Sequence, residues 1–126
     1  MASKTGLWKK KPEAKDFDAA RDFLSLLYSD GSARKLARAM RKTKTVEHVA
    51  KDLLRASGLP LLAPAEIHVA EDLERLRRGE PLAPVLLVRS DHESRRKLVI
   101  TDGYHRICAI CHYDEDAPVS CRIVAD

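Results

Sequence analysis

Apolar positions along the chain fall into three regimes, each with its own period. Residues 1–15 are polar and lysine-rich around Pro12 and show no periodicity, which predicts a mobile basic tail. From residue 16 to residue 58 the spacing is helical. Asp16 is the expected N-cap of a first helix, with Phe17, Ala20, Leu24 and Leu27 on one stripe and Phe23 widening it, ending at the turn Ser29-Asp30-Gly31. Ser32 is the expected cap of a second helix with Ala33, Leu36, Ala37 and Met40 inside. Thr45 is the expected cap of a third, with Val46, Val49, Ala50 and Leu53 inside and Gly58 closing it.

After Gly58 the pattern changes. Leu59-Pro60-Leu61-Leu62-Ala63-Pro64 is extended, since each proline biases the residue before it away from helix. A helix is predicted over residues 66–78, with Ile67, Ala70, Leu73 and Leu76 inward and Gly79 ending it. Val85-Leu86-Leu87-Val88 is a continuous apolar run, the signature of a strand covered on both faces. Residues 90–96 are predicted as a polar hairpin loop and residues 97–101 as a second strand. A helix opened by Gly103 follows, with Tyr104, Ile107, Cys108 and Cys111 on its apolar face, and residues 119–124 alternate as a half-buried strand. The order predicts a compact α/β unit over residues 59–126, preceded by an N-terminal helical extension at 16–58.

Composition narrows the class. With 44% hydrophobic and 33% charged residues the chain has the make-up of a globular protein, and no window approaches the roughly 18–20 apolar residues of a membrane span. The start carries a basic cluster with no apolar run behind it, unlike a secretory signal, so a cytoplasmic protein is expected. Three cysteines, an odd number, point to reduced thiols.

Charge is unevenly spread. Residues 1–58 hold 14 Lys/Arg against 7 Asp/Glu, whereas residues 59–126 hold 9 against 12. The basic half suits nucleic acid, an acidic protein partner, or the acidic half of its own chain. Arg34, Lys35, Arg38 and Arg41 on the second helix are the candidate nucleic-acid contacts, although no aromatic residue accompanies them for base stacking. Trp8 beside Lys9-Lys10-Lys11 is a lone aromatic suited to a partner contact.

The chemistry concentrates in Thr101-Asp102-Gly103-Tyr104-His105-Arg106. A glycine between a buried strand and a helix lets backbone approach a ligand closely, and the first N–H groups of the helix have no internal partners. His105 and Arg106 lie in the same first turn, where cations oppose the helix dipole unless an anion sits between them. Gly103, Tyr104, His105 and Arg106 are therefore the candidate phosphate-binding residues. Asp102 can orient His105, hold a metal-bound phosphate or accept a proton.

This stretch resembles the signature of the ParB/sulfiredoxin superfamily, in which a glycine turn is followed by His-Arg or Arg-Arg and a small-residue helix. The resemblance covers residues 59–126 and implies an α/β domain of ParB/sulfiredoxin type, built on a small mixed β-sheet, that binds a nucleoside triphosphate, ATP or CTP, with Mg²⁺ as a candidate companion. Sulfiredoxins carry their attacking cysteine where this chain has Tyr104, so their chemistry is not implied. In ParB proteins the turn helps to bind CTP and a helix-turn-helix module follows it; here the sequence ends at Asp126. The free serine kinase branch, with Asp-Gly-His-His-Arg, is similar except at Tyr104. For a small phosphotransferase or nucleotide hydrolase the resemblance supplies His68 as a further phosphate contact, in the place of a sulfiredoxin lysine. Asp102, Glu71 and Glu66 are the candidate catalytic carboxylates. The alternative is a non-enzymatic DNA-binding or regulatory module using the basic helices.

Two metal signals carry less. Cys108-Ala-Ile-Cys111-His112 matches a haem-attachment pattern, but it falls on a predicted helix whose cysteines share the apolar stripe, so no haem is expected. Zinc held by Cys108, Cys111, His112 and Cys121 competes with the same core role, and no metal site is assigned.

Overall fold

A computed structural model describes residues 4–90 and 97–126. It is a mixed α/β fold with five α-helices, α1 Ala14–Leu24, α2 Asp30–Lys42, α3 Ala50–Ser57, α4 Ile67–Arg77 and α5 Tyr104–Tyr113. Four strands, β1 Val46–Val49, β2 Val85–Arg89, β3 Val99–Asp102 and β4 Pro118–Ala125, form one sheet in the order β1-β4-β2-β3. β2 and β4 run parallel at its centre, while β1 and β3 are antiparallel edges. The expected hairpin loop lies outside the described residues except for Ser90.

β2 explains why the sheet is sandwiched. Its side chains alternate between two separate cores. Val85 and Leu87 join α3, α4 and α5 on one face, with Leu53, Leu73, Ile107 and Ile110 among the buried residues there. Leu86 and Val88 join Phe17, Ala20 and Leu24 of α1 and Leu36 and Met40 of α2 on the other. Each face of β2 is thus removed from water, which is why the run Val85-Leu86-Leu87-Val88 contains no polar residue.

Residues 16–58 depart from the expected three helices. Val46, Val49, Ala50 and Leu53 have helical spacing, yet Val46–Val49 pairs with β4 and only Ala50–Ser57 is helical. The short β-branched segment gains a hydrogen-bonded partner strand that local periodicity cannot reveal. The caps also move. Glu13 rather than Asp16 is the N-cap of α1, and Asp16 is a buried N3 residue whose Oδ2 accepts the Glu13 N–H at 2.8 Å. Ser29 rather than Ser32 caps α2, its Oγ accepting from the Ser32 N–H. Leu27 consequently falls outside α1 and is exposed, whereas the four expected core residues of α2 are all buried.

Within the span expected to be a tail, residues 4–13 pack on the domain. Lys4–Leu7 forms a 3-10 turn, and Trp8 bridges Leu82 in parallel, with Lys9 N–H donating to Leu82 O and Leu82 N–H to Leu7 O. The Trp8 ring is buried in the α3–α5 core, and its Nε1–H donates to Pro118 O at 2.9 Å. Apolar bulk and a satisfied indole donor together favour this placement.

Trp8→Ala should therefore destabilise the protein by about 3–5 kcal/mol, the usual cost of truncating a buried tryptophan. A urea midpoint within error of the parent would show that the seating of the Trp8 side chain adds nothing to stability.

Candidate functional site

The turn between β3 and α5 is shaped by one irregularity and one glycine. β3 carries an extra residue opposite Leu86–Leu87, because Leu87 faces Ile100 while Leu86 faces Asp102. The surplus Thr101 is buried, and its Oγ1–H donates to Leu86 O at 2.7 Å. Such a bulge re-aims the residue beside it. Asp102 then precedes Gly103, which has φ 105°, a left-handed conformation that other residues adopt only under strain. A Cβ at Gly103 would lie 2.4 Å from Val85 Cγ1 and 2.9 Å from Arg106 Nη2. The turn is pressed onto β2, and only glycine fits.

Arg106 is held from two sides. Nη1 donates to Ala83 O at 2.7 Å and Nη2 to Asp102 Oδ2 at 2.5 Å, with both side chains largely buried. Asp16 of α1 lies against the same Asp102 carboxyl. Burial pushes the Asp102 pKa up, the Arg106 guanidinium pulls it down, and the Asp16 charge raises it again; burial is the largest influence and the net direction is upward.

α4 provides the facing wall. Glu66 is its N-cap, with Oε2 accepting from the N–H groups of His68 and Val69. The Val69 N–H, foremost, holds the Glu66 carboxyl below its ordinary range, so this carboxylate is a helix cap and a weak base. The His68 and His105 rings lie 4.8 Å apart, His105 Nε2 is 3.8 Å from Glu66 Oε2, and His68 Nδ1 is 3.9 Å from Glu71 Oε2. Leu73 and Leu76 are buried on α4 as expected, but Val69 and Asp72 join them and Ile67 is exposed. Asp72 pairs with Arg75 at 3.1 Å, and burial raises its pKa.

These walls enclose an open cavity of about 680 Å³. Six of the expected site residues reach it or line it together: His68, Glu71, Asp102, Gly103, His105 and Arg106. Tyr104 does not. Its hydroxyl donates to Pro60 O and ties α5 to that residue instead. The cavity also takes Lys9 and Glu13 from the N-terminal segment, Lys15 and Asp16 from the start of α1, and Asp72 and Arg75 from α4, none of which was a site candidate from sequence. Asp72 had a local signal, since it follows His68 by one helical turn. The N-terminal residues had none. Counting Glu80, the lining holds six carboxylates against four Lys and Arg, an excess of two negative charges with the histidines neutral.

The remaining candidates lie elsewhere. Arg34, Lys35, Arg38 and Arg41 are exposed on α2, with Arg41 stacked 4.5 Å over Phe17 and 3.8 Å from Asp18. Cys108 and Cys121 are buried in the α3–α5 core, where burial pushes the Cys121 thiol up to about 12, and His112 Nε2 lies 2.7 Å from Leu62 O. Among the described residues no group of three or more His, Cys, Asp or Glu side chains is arranged to hold a metal ion, and no helix is long and apolar enough to cross a membrane.

The upward shift of Asp102 has a consequence for stability. Its carboxyl binds a proton more readily folded than unfolded, so its contribution is fullest below about pH 4 and is lost as pH rises through the folded pKa. Asp102→Asn, which keeps an oxygen for Arg106, should gain stability relative to the parent as pH rises from about 4. Denaturant titrations at several pH values test this, and a difference that stays flat or shrinks with pH would contradict it. Comparison of the chain with models of protein families, with curated proteins and with solved structures finds no match to any of them.

Proposed function

We propose that the cavity binds the phosphates of a nucleoside triphosphate, ATP or CTP, together with Mg²⁺, on a domain of the ParB/sulfiredoxin kind. The observation that carries this reading is the start of α5. Its N-cap is Gly103, which has no side chain to bond the first N–H groups, and it opens from this left-handed residue at the cavity wall, beside His105 and Arg106. Its first backbone N–H groups have no partner within the helix, and together with the dipole they favour an anion. The volume lies within the range of small-molecule sites.

The excess of carboxylates shapes the ligand. A bare triphosphate would meet Asp16, Asp72 and Asp102 as like charges, whereas Mg²⁺ offsets them and is commonly held by one or two carboxylates plus phosphate oxygens. Within this reading Arg106 fixes Asp102 and the turn, His105 and His68 flank the phosphates, and Asp102 or Glu71 takes the acceptor proton in a small phosphotransferase or nucleotide hydrolase.

Thermal unfolding with ATP and with CTP, each with and without Mg²⁺, tests the proposal. At about 100 times its dissociation constant a ligand adds roughly 2.7 kcal/mol, several degrees for a domain of this size. The shift should require Mg²⁺ and should shrink in His105→Ala and Arg106→Ala, each measured against its own ligand-free baseline. No shift with either nucleotide would sink the reading.

A second reading, a nucleic-acid-binding module, is favoured by one observation. Arg34, Lys35 and Arg38 are exposed on α2, and none forms a salt bridge among the described residues. On this reading affinity for duplex DNA falls steeply with salt, and each of these cations replaced by Gln lowers the slope of log K against log salt by about 1. A salt-insensitive association, or slopes unchanged in the variants, removes α2 from consideration.

A further inference from the structure

The N-terminal segment does more than cover the α3–α5 core. Anchored by the Trp8 indole at Pro118 and by the backbone pairing at Leu82, it brings Lys9, Glu13 and Lys15 to the wall of the cavity. The two lysines converge on a single carboxylate: Lys9 Nζ lies 2.5 Å from Glu13 Oε1, and Lys15 Nζ lies 3.5 Å from Glu13 Oε2. This pair of ammonium groups holds the Glu13 pKa below its ordinary value, with Lys9 the larger influence. All three side chains retain access to solvent; the buried Trp8 anchors the segment that carries Lys9, and Glu13 and Lys15 are held at the start of α1, so the lysines themselves do not fix the arrangement.

We propose that Lys9 and Lys15 are a second anion contact of the cavity, one that engages the outer phosphates of a polyphosphate chain whose inner phosphate rests at the start of α5. Glu13 occupies that contact in the absence of ligand. This rests on the phosphate reading of the α5 turn and extends it to the ligand's class: a chain of two or more linked phosphates binds through both contacts, whereas a single phosphate reaches one. Two oxygens bridged by two ammonium groups is a geometry that a phosphate can adopt as readily as a carboxylate, with more charge and more acceptors. The arrangement also accounts for a lysine-rich segment being stapled against a cavity whose deeper wall, at Asp16, Asp72 and Asp102, is acidic.

Calorimetric titrations of the full chain with orthophosphate and with tripolyphosphate, both with Mg²⁺ and at fixed ionic strength, test the proposal. Removing two charge-assisted contacts in the double variant K9Q/K15Q should weaken tripolyphosphate by about tenfold or more while leaving orthophosphate within about twofold. Glu13→Gln, which removes the internal competitor, should strengthen tripolyphosphate, a change of sign that loss of structure would not produce. Tripolyphosphate bound equally by the parent and K9Q/K15Q, with orthophosphate binding intact, would overturn the second contact and leave the α5 reading standing. If the parent binds neither anion, the α5 reading itself fails and this inference with it.

Discussion

Burial of β2 on both faces is the constraint from which the rest of the fold follows. Four consecutive apolar residues cannot face water on either side, so helices must be recruited to both faces of the sheet. α1 and α2 cover Leu86 and Val88, and α3, α4 and α5 cover Val85 and Leu87. Val85 has a second duty. Its methyl group occupies the space where a side chain at residue 103 would be, so the packed core and the geometry of the β3–α5 turn are one contact seen from two directions. A turn pressed onto a close-packed strand has little room to adjust, which fixes the start of α5 at the cavity wall.

What was legible in the sequence divides along the range of the interactions that decide it. The β2 run, the apolar stripe of α2 and the glycine turn are decided locally, by a continuous apolar stretch, a helical period and a backbone requirement. β1 is decided by a partner about seventy residues away. Its valines fit a helical stripe as well as a strand, and only the free edge of β4 settles the matter. Part of the inward face of α4 was hidden for another reason. The residue facing inward is Asp72, whose burial is tolerated because Arg75 pairs with it, and a reading by hydrophobicity places such a residue outside. The Thr101 bulge depends on the register of two strands and leaves no trace in composition.

The site shows the same division. Asp102, Gly103, His105 and Arg106 are adjacent in sequence and adjacent in space, and His68 and Glu71 join them across the cavity. The roles differ from those that proximity in sequence implies. Tyr104 bonds to Pro60 O, and Arg106 is engaged by a carbonyl and a carboxylate before any ligand arrives. A guanidinium fixed in this way costs little further ordering when an anion approaches its remaining donors. Its pairing with Asp102 also offsets a negative charge that would otherwise sit beside the anion-favouring helix start. Charge balance in the cavity is therefore set by residues from three separate parts of the chain, with Asp16 as the member that no local pattern exposes.

The anchoring of Trp8 sets an order of events during folding. Its indole bonds to a carbonyl 110 residues away, and its backbone neighbours pair with Leu82, so this wall of the cavity closes only after β4 and the segment before β2 are in position. Contacts of such long range come late, because loop closure must be met before they return any stabilisation. Trp8 is also the only tryptophan in the chain. Its fluorescence consequently belongs to a single event, the seating of the first residues against the finished domain, and gives the protein a built-in optical signal for whether that wall is in place.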